Sequence, residues 1–196
     1  GSLIVLIIVW YFTKKSGVIN DLFLPSPNQL IDAYKNLFAE HNFLGDIFAS
    51  IFRVFSAFLL SAIIAIPLAV LMCSYKPLRQ ILSPYIDFVR YLPVPALIPL
   101  TILFFGIDET AKIVLLFIGT FFQLILLIID DIQEMPYEYY DLTYSLKFSK
   151  TQEMKFSFMS VLPQIYDNAR ITLGWCWTYV VIAELVASDN GIGHMI

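Results

Sequence analysis

The chain has 196 residues, of which 59% are hydrophobic, 16% aromatic and only 14% charged, with a formal net charge of −4 and a mean hydropathy of +0.75. Soluble domains run nearer half apolar and a quarter charged, and here the excess sits in blocks, which excludes one large soluble core. The composition offers no basic patch with interleaved aromatics, so nucleic acid is excluded as a partner. His41 and His194 have no ligand-spaced neighbours and imply no metal, and Cys73 and Cys176 read as small buried hydrophobes within apolar runs.

In chain order, Leu3–Phe12 is too short to cross a bilayer alone, since a spanning helix needs about 20 mostly apolar residues. Because the chain opens Gly-Ser rather than Met, segment 1–15 reads as the last half of a first span. Leu24-Pro25-Ser26-Pro27 follows. Ser26 suits an N-cap and Pro27 a first helical position. Leu30, Ile31, Tyr34, Leu37 and Phe38 then recur at helical spacing opposite Asp32, Lys35 and Glu40, which predicts an interfacial amphipathic helix within 24–45. Segment 47–129 holds spans two to four: Ile47–Cys73, Ile81–Phe105 and Ala111–Ile129. Arg53, near the start of the first of these, is expected to snorkel to the headgroups. Pro93, Pro95 and Pro99 interrupt the next, freeing backbone carbonyls that neighbours or a water-lined cavity must satisfy, so 91–100 is either a pathway wall or a simple kink. Lys76 and Arg79 form a basic connection expected on the cytoplasmic side.

A polar interval, 130–167, separates the fourth apolar block from a fifth span at 168–187. Tyr137–Leu146 and Thr151–Met159 have helical composition, Ser149 suits a cap, and Pro163 is placed to end or kink the second helix. Two short helices joined by a polar turn make a knob able to dock into a partner's groove, with Leu142, Leu146, Met154 and Phe158 as apolar anchors; its tyrosines equally suit the headgroup level. Glu184 is a carboxylate deep in an apolar run, a default functional candidate. Trp175, Tyr179 and Glu184 are the last-span residues expected to face the prolines. No nucleotide-cradling loop, catalytic triad or dinucleotide fingerprint is present, so no catalytic residue is assigned. A membrane-embedded enzyme, or a channel or secondary transporter subunit without an ATPase, is the competing class. Neither a convergent catalytic set nor an internal repeat speaks for them.

Taken together, the pieces resemble the permease subunits of bacterial ABC importers, in the branch serving nitrate, sulfonate, taurine and thiamine-precursor substrates. The resemblance rests on Leu24-Pro25-Ser26-Pro27, on Ser50-Ile51-Phe52-Arg53-Val54 with Ala57 in a glycine's place, on Tyr91-Leu92-Pro93-Val94-Pro95, on Ala183-Glu184 and on Gly191-Ile192-Gly193. It implies an all-α polytopic membrane bundle, the MetI-like permease fold, with about five spans present and a final one beyond Ile196. It implies a multi-pass protein of the cell inner membrane, a homodimer that forms the pathway for a small organic or inorganic anion or a vitamin precursor. A cytoplasmic ATP-binding subunit would carry ATP and magnesium, none being a cofactor of this chain, and a periplasmic or lipid-anchored solute-binding protein would deliver the solute. The family's cytoplasmic loop carries Glu-Ala-Ala, a Gly four residues later and a Leu-Pro. Leu162-Pro163 fits, whereas Tyr139-Tyr140 stand where the alanines are expected and Lys147 or a neighbour where the glycine is. The coupling residues implied are Asp141, Leu142, Leu146, Lys147, Ser149, Lys150, Gln152, Leu162 and Pro163. For the pathway they are Pro93, Pro95, Pro99, Trp175, Tyr179 and Glu184.

Overall fold

The computed structural model describes residues 2–16, 24–39 and 42–195; His41 and residue 40 of the predicted interfacial segment lie outside them. The described residues are helical, without a strand. Two compact units divide the chain at Asp46/Ile47. In the first, α1 spans Ser2–Lys15 and α2 spans Pro27–Ala39. The cap on α2 is reciprocal. The Ser26 backbone N–H donates to Gln29 Oε1 at 2.7 Å and the Gln29 N–H donates to Ser26 Oγ at 3.3 Å, satisfying donors that have no partner inside the helix.

The second unit is built on three long apolar helices: α3 (Phe43–Ser74), α6 (Glu109–Gln133) and α9 (Leu162–Ala187). Each is long and apolar enough to cross a membrane. α3 buries Ser50, Arg53, Val54, Ala57, Ser61, Ala65 and Ala69, a stripe of mostly small side chains at three- and four-residue spacing. Small residues let helix backbones approach closely where no hydrophobic force acts between spans. The approach shows in Ser61 Oγ, which reaches the Phe117 carbonyl of α6 at 3.2 Å, and in Cys176 of α9, whose thiol lies 3.8 Å from the Val54 carbonyl. Cys176 is a buried free thiol and Cys73 a half-buried one.

Two apolar cores result. One joins Val54 and Ala57 to Leu115, Leu116, Cys176 and Val180; the other joins Ala65 and Ala69 to Leu124, Ile125, Ile128 and Ile165. α3 and α6 run the same way and α9 returns. One end of the unit therefore carries the starts of α3 and α6 and the finish of α9. The other carries Lys76, Gln133 and Leu162.

Three expectations need correction. The block 81–105 is not one straight span. α4 (Lys76–Arg90) and the stretch 94–105 are bent by 95°. A 3-10 turn at Val94–Leu97 and a short helix, α5 (Ile98–Phe105), follow the break. Pro93 and Pro95 have no N–H to continue the ladder, and Pro93 keeps Leu92 before it out of helical backbone, so the chain turns. The number of spans is accordingly three, or four with the bent pair as one, among the described residues; α1 is shorter than a full crossing. The polar interval is also narrower than 130–167: α6 runs on to Gln133 and α9 begins at Leu162, not 168. Pro163 sits in the first turn of α9 and opens that helix instead of ending the one before, because its missing N–H is not needed there.

Candidate pathway and coupling surfaces

At the end shared by Arg53 and Glu184, charge is buried and fully partnered. Both side chains are inaccessible to solvent, and Arg53 Nη1 lies 2.6 Å from Glu184 Oε1. Arg53 Nε and Nη2 each reach a Glu109 carboxylate oxygen at 2.5 Å, a bidentate fork. Lys112 Nζ donates to Glu109 at 3.0 Å and to Ser188 Oγ at 2.9 Å. Asn190 accepts from Arg53 through its backbone and side-chain oxygens. Ser50 Oγ donates to Glu184 at 2.6 Å and accepts the Ile192 N–H at 2.9 Å, while the Gly193 N–H donates to the other Glu184 oxygen at 2.8 Å. The cluster thus joins α3, α6, α9 and the turn 188–193. Gly191 is required there on two counts. Its φ is +111°, and a Cβ would lie 2.6 Å from Arg53 Nη1 and 2.5 Å from Glu184 Cδ.

The bend after α4 opens a cavity of about 510 Å³ against α6 and α9, lined by Arg90, Tyr91, Pro93, Gly119, Gln123 and Tyr179 among others. Arg90 Nη2 donates to the Tyr91 hydroxyl at 3.0 Å, and its guanidinium stands 4.9 Å from that ring's centre. Gly119 lets α6 come close: an added Cβ would meet Val94 at 2.9 Å and Tyr179 at 3.0 Å.

At the opposite end from Arg53, α7 (Tyr137–Ser145) and α8 (Lys150–Ser160) form a knob. Tyr139 and Phe148 both pack on Phe156, with ring centres 5.7 and 5.8 Å apart. The Tyr140 hydroxyl donates to the Ile132 carbonyl of α6 at 3.0 Å, and burial pushes that phenol above its usual range. The turn between the helices is closed by backbone. Phe148 N–H donates to the Thr143 carbonyl and Lys147 N–H to the Tyr144 carbonyl, both at 3.1 Å. This is a Schellman closure, whose usual occupant at the left-handed position is glycine. Lys147 holds that position with φ +52°, the one positive φ at a non-glycine residue among those described. Gln152 Oε1 accepts from the Ser149 N–H at 2.8 Å and from the Ser149 hydroxyl at 2.9 Å, so Ser149 caps α8.

A family model described as the inner membrane component of binding-protein-dependent transport systems matches residues 57–196. The chain belongs to this family. Among curated inner-membrane components, it is 31% identical over 193 residues to a putative aliphatic sulfonates transport permease of Bacillus subtilis, covering 98% of this chain and 70% of that protein. It is 30% identical to the taurine transport system permease of Escherichia coli, over 100% of this chain and 74% of the relative. It is 29% identical to a nitrate import permease of Synechocystis, again over 100% and 74%. The permease is therefore a multi-pass inner-membrane transport protein, and the family is one of transport components, not of enzymes.

Within the permease, the predicted residues divide. Pro93, Pro95 and Tyr179 meet at the cavity. Pro99, Trp175 and Glu184 do not line it: Pro99 lies in the first turn of α5, Trp175 is 40% exposed on α9, and Glu184 is locked to Arg53. Arg53 itself is no snorkelling cation, because two carboxylates and Asn190 satisfy it inside the protein. On the knob, Asp141, Leu142, Leu146, Lys147, Ser149, Lys150 and Gln152 are all exposed, and Lys150 pairs with Glu153 at 2.8 Å. Met154 and Phe158 are half-buried: they pack on the Ala65–Ile128 core and also line an open apolar groove with Ile66, Pro67, Val70 and Leu71. Leu162 is 48% exposed beside the buried Val161.

Sequence reading missed Glu109 and Asn190 as partners of Arg53, Lys112 as a second cation on Glu109, and Arg90 and Gln123 as cavity residues. The available signal was a pair of opposite intramembrane charges, Arg53 and Glu184, in two different apolar runs.

Proposed function

We propose that this chain is the transmembrane permease subunit of an ABC importer for a small anionic solute, coupled through its α7–α8 knob to a cytoplasmic ATP-binding subunit. ATP and magnesium belong to that subunit, a solute-binding protein delivers the solute at the opposite face, and two permease copies form the pathway.

The observation that carries this reading is the shape and chemistry of the knob. It stands beyond the ends of α6 and α9 and exposes Leu142 and Leu146 by 45% and 57%. Its position relative to the charges agrees with a cytoplasmic face. Lys76, Arg79, Lys147, Lys150 and Lys155 gather at that end, whereas Arg53 and Lys112 at the other are neutralised by carboxylates. Lys147 also supports a register for the family's loop. Counting four residues back from this left-handed position places Asp141-Leu142-Thr143 where Glu-Ala-Ala is expected, in preference to Tyr139-Tyr140. The relatives' names, sulfonates, taurine and nitrate, favour an anion as solute.

The test is co-purification with an ABC ATP-binding subunit co-expressed with it. The double substitution L142D/L146D, at exposed positions, is expected to leave the permease folded and to abolish retention of the ATPase. Undiminished retention contradicts coupling through the knob.

A further inference from the structure

We propose that Arg90, with Gln123 and Tyr179, forms a station for the acidic head of the solute half-way through the membrane; the inference rests on the permease reading above.

Depth is the first argument. Gly119 lies ten residues from the start of α6 at Glu109 and Gln123 ten residues from its finish at Gln133, so each is about 15 Å from its end of the helix at 1.5 Å per residue. The cavity wall they share is therefore central in the crossing. Charge is the second. Among the described residues, Arg90 lines this cavity and no carboxylate does. Among those residues its guanidinium hydrogen-bonds only to the neutral Tyr91 hydroxyl, and the Tyr91 ring backs it on one side. Its direct contacts, a phenol and a π face, are neutral, and the Asp87 and Asp130 carboxylates act on it only from beyond ion-pair distance, in contrast to Arg53, which is met by two carboxylates. A cation kept without a direct ion-pair partner at such depth marks a pathway for the opposite charge.

The rest of the wall defines the solute further. Gln123 and the Tyr179 hydroxyl add neutral polar groups able to donate to oxygens. Gly119 and Val94 bring α6 and the 3-10 turn to within contact of Tyr179, so one wall of the cavity is closely packed. A volume near 510 Å³ takes a small organic anion with its acidic group at Arg90 and its body along Val94 and Gly119.

The experiment uses Gln123→Cys in the full-length permease assembled with its ATPase, and compares two thiol reagents of similar size. One is sulfonatoethyl methanethiosulfonate, the other its trimethylammonium counterpart. In either case the Cys thiolate attacks the sulfenyl sulfur, a disulfide forms and methanesulfinate leaves. Rates are normalised to a free thiol and corrected for the parent protein's own cysteines. With Arg90 present the anionic reagent is expected to react about tenfold faster, the size of effect one nearby cation produces. R90Q is expected to bring the two rates together, R90E to invert them, and R90K to keep the anionic preference. A rate ratio indifferent to R90Q overturns this inference alone. Failure of both reagents to label Q123C, in a complex that keeps its elution profile, overturns the pathway reading along with it.

Discussion

The two ends of the three long helices solve opposite problems. At the Arg53 end, every charge of the cluster is answered inside the protein and the glycine turn 191–193 is pressed against the charged pair. At the knob end, polar and apolar side chains alike are left facing outward, held by a closed backbone turn and a serine cap. Internal satisfaction makes a rigid junction between helices. Outward presentation makes a surface for another molecule. One sequence can do both because buried ion pairs need partners in fixed geometry, whereas an exposed knob needs only its own short-range hydrogen bonds.

Breaking the junction has the largest expected consequence. R53M leaves Glu184 buried without its cation and is expected to destabilise the protein by about 3–5 kcal/mol, read as loss of folded protein on heating in detergent. The double substitution R53M/E184M is expected to recover much of that loss, since a pair of similar apolar volume carries no uncompensated charge. Next in size is Gly191→Ala. It forces a side chain into a left-handed backbone and against Arg53 and Glu184, and is expected to lower stability by roughly 1–3 kcal/mol in the same assay. At the knob the effects shrink. Q152A removes the acceptor for the Ser149 N–H and is expected to lower stability by about 1 kcal/mol, measured as faster amide exchange at the start of α8. The smallest runs the other way. K147G places glycine where the Schellman turn favours it and is expected to raise stability by about 1 kcal/mol. If K147G destabilises the knob, the left-handed turn is wrongly placed.

How much of this could be read from the chain depends on the range of the signal. The three long helices were legible because 20 apolar residues in a row have one meaning in a membrane protein. The knob was legible too: Ser149 before a helical run and a polar turn between two short helices are local patterns. The bend after Arg90 was half legible, since Pro93 and Pro95 announce a break but not a 95° one. The junction was not. Arg53 and Glu184 are 131 positions apart, and each alone resembles an ordinary helix-end charge. Their pairing exists only once α3 and α9 lie side by side. Lys147 was placed at or beside the glycine position only through the family resemblance, because a lysine by itself does not advertise the left-handed backbone it adopts. The turn is set by the Thr143 and Tyr144 carbonyls, and the proposed coupling register, Asp141-Leu142-Thr143 in place of Tyr139-Tyr140, follows from counting back from it.

The contrast between the two ends is tested most directly by a photo-crosslinking residue placed at Leu146 on the knob and, separately, at Asp108 beside the Arg53 junction, each in the permease co-expressed with its ATP-binding subunit. An adduct with the ATPase is expected from position 146 and none from position 108. An adduct from 108, or none from 146 in an intact complex, would contradict that contrast.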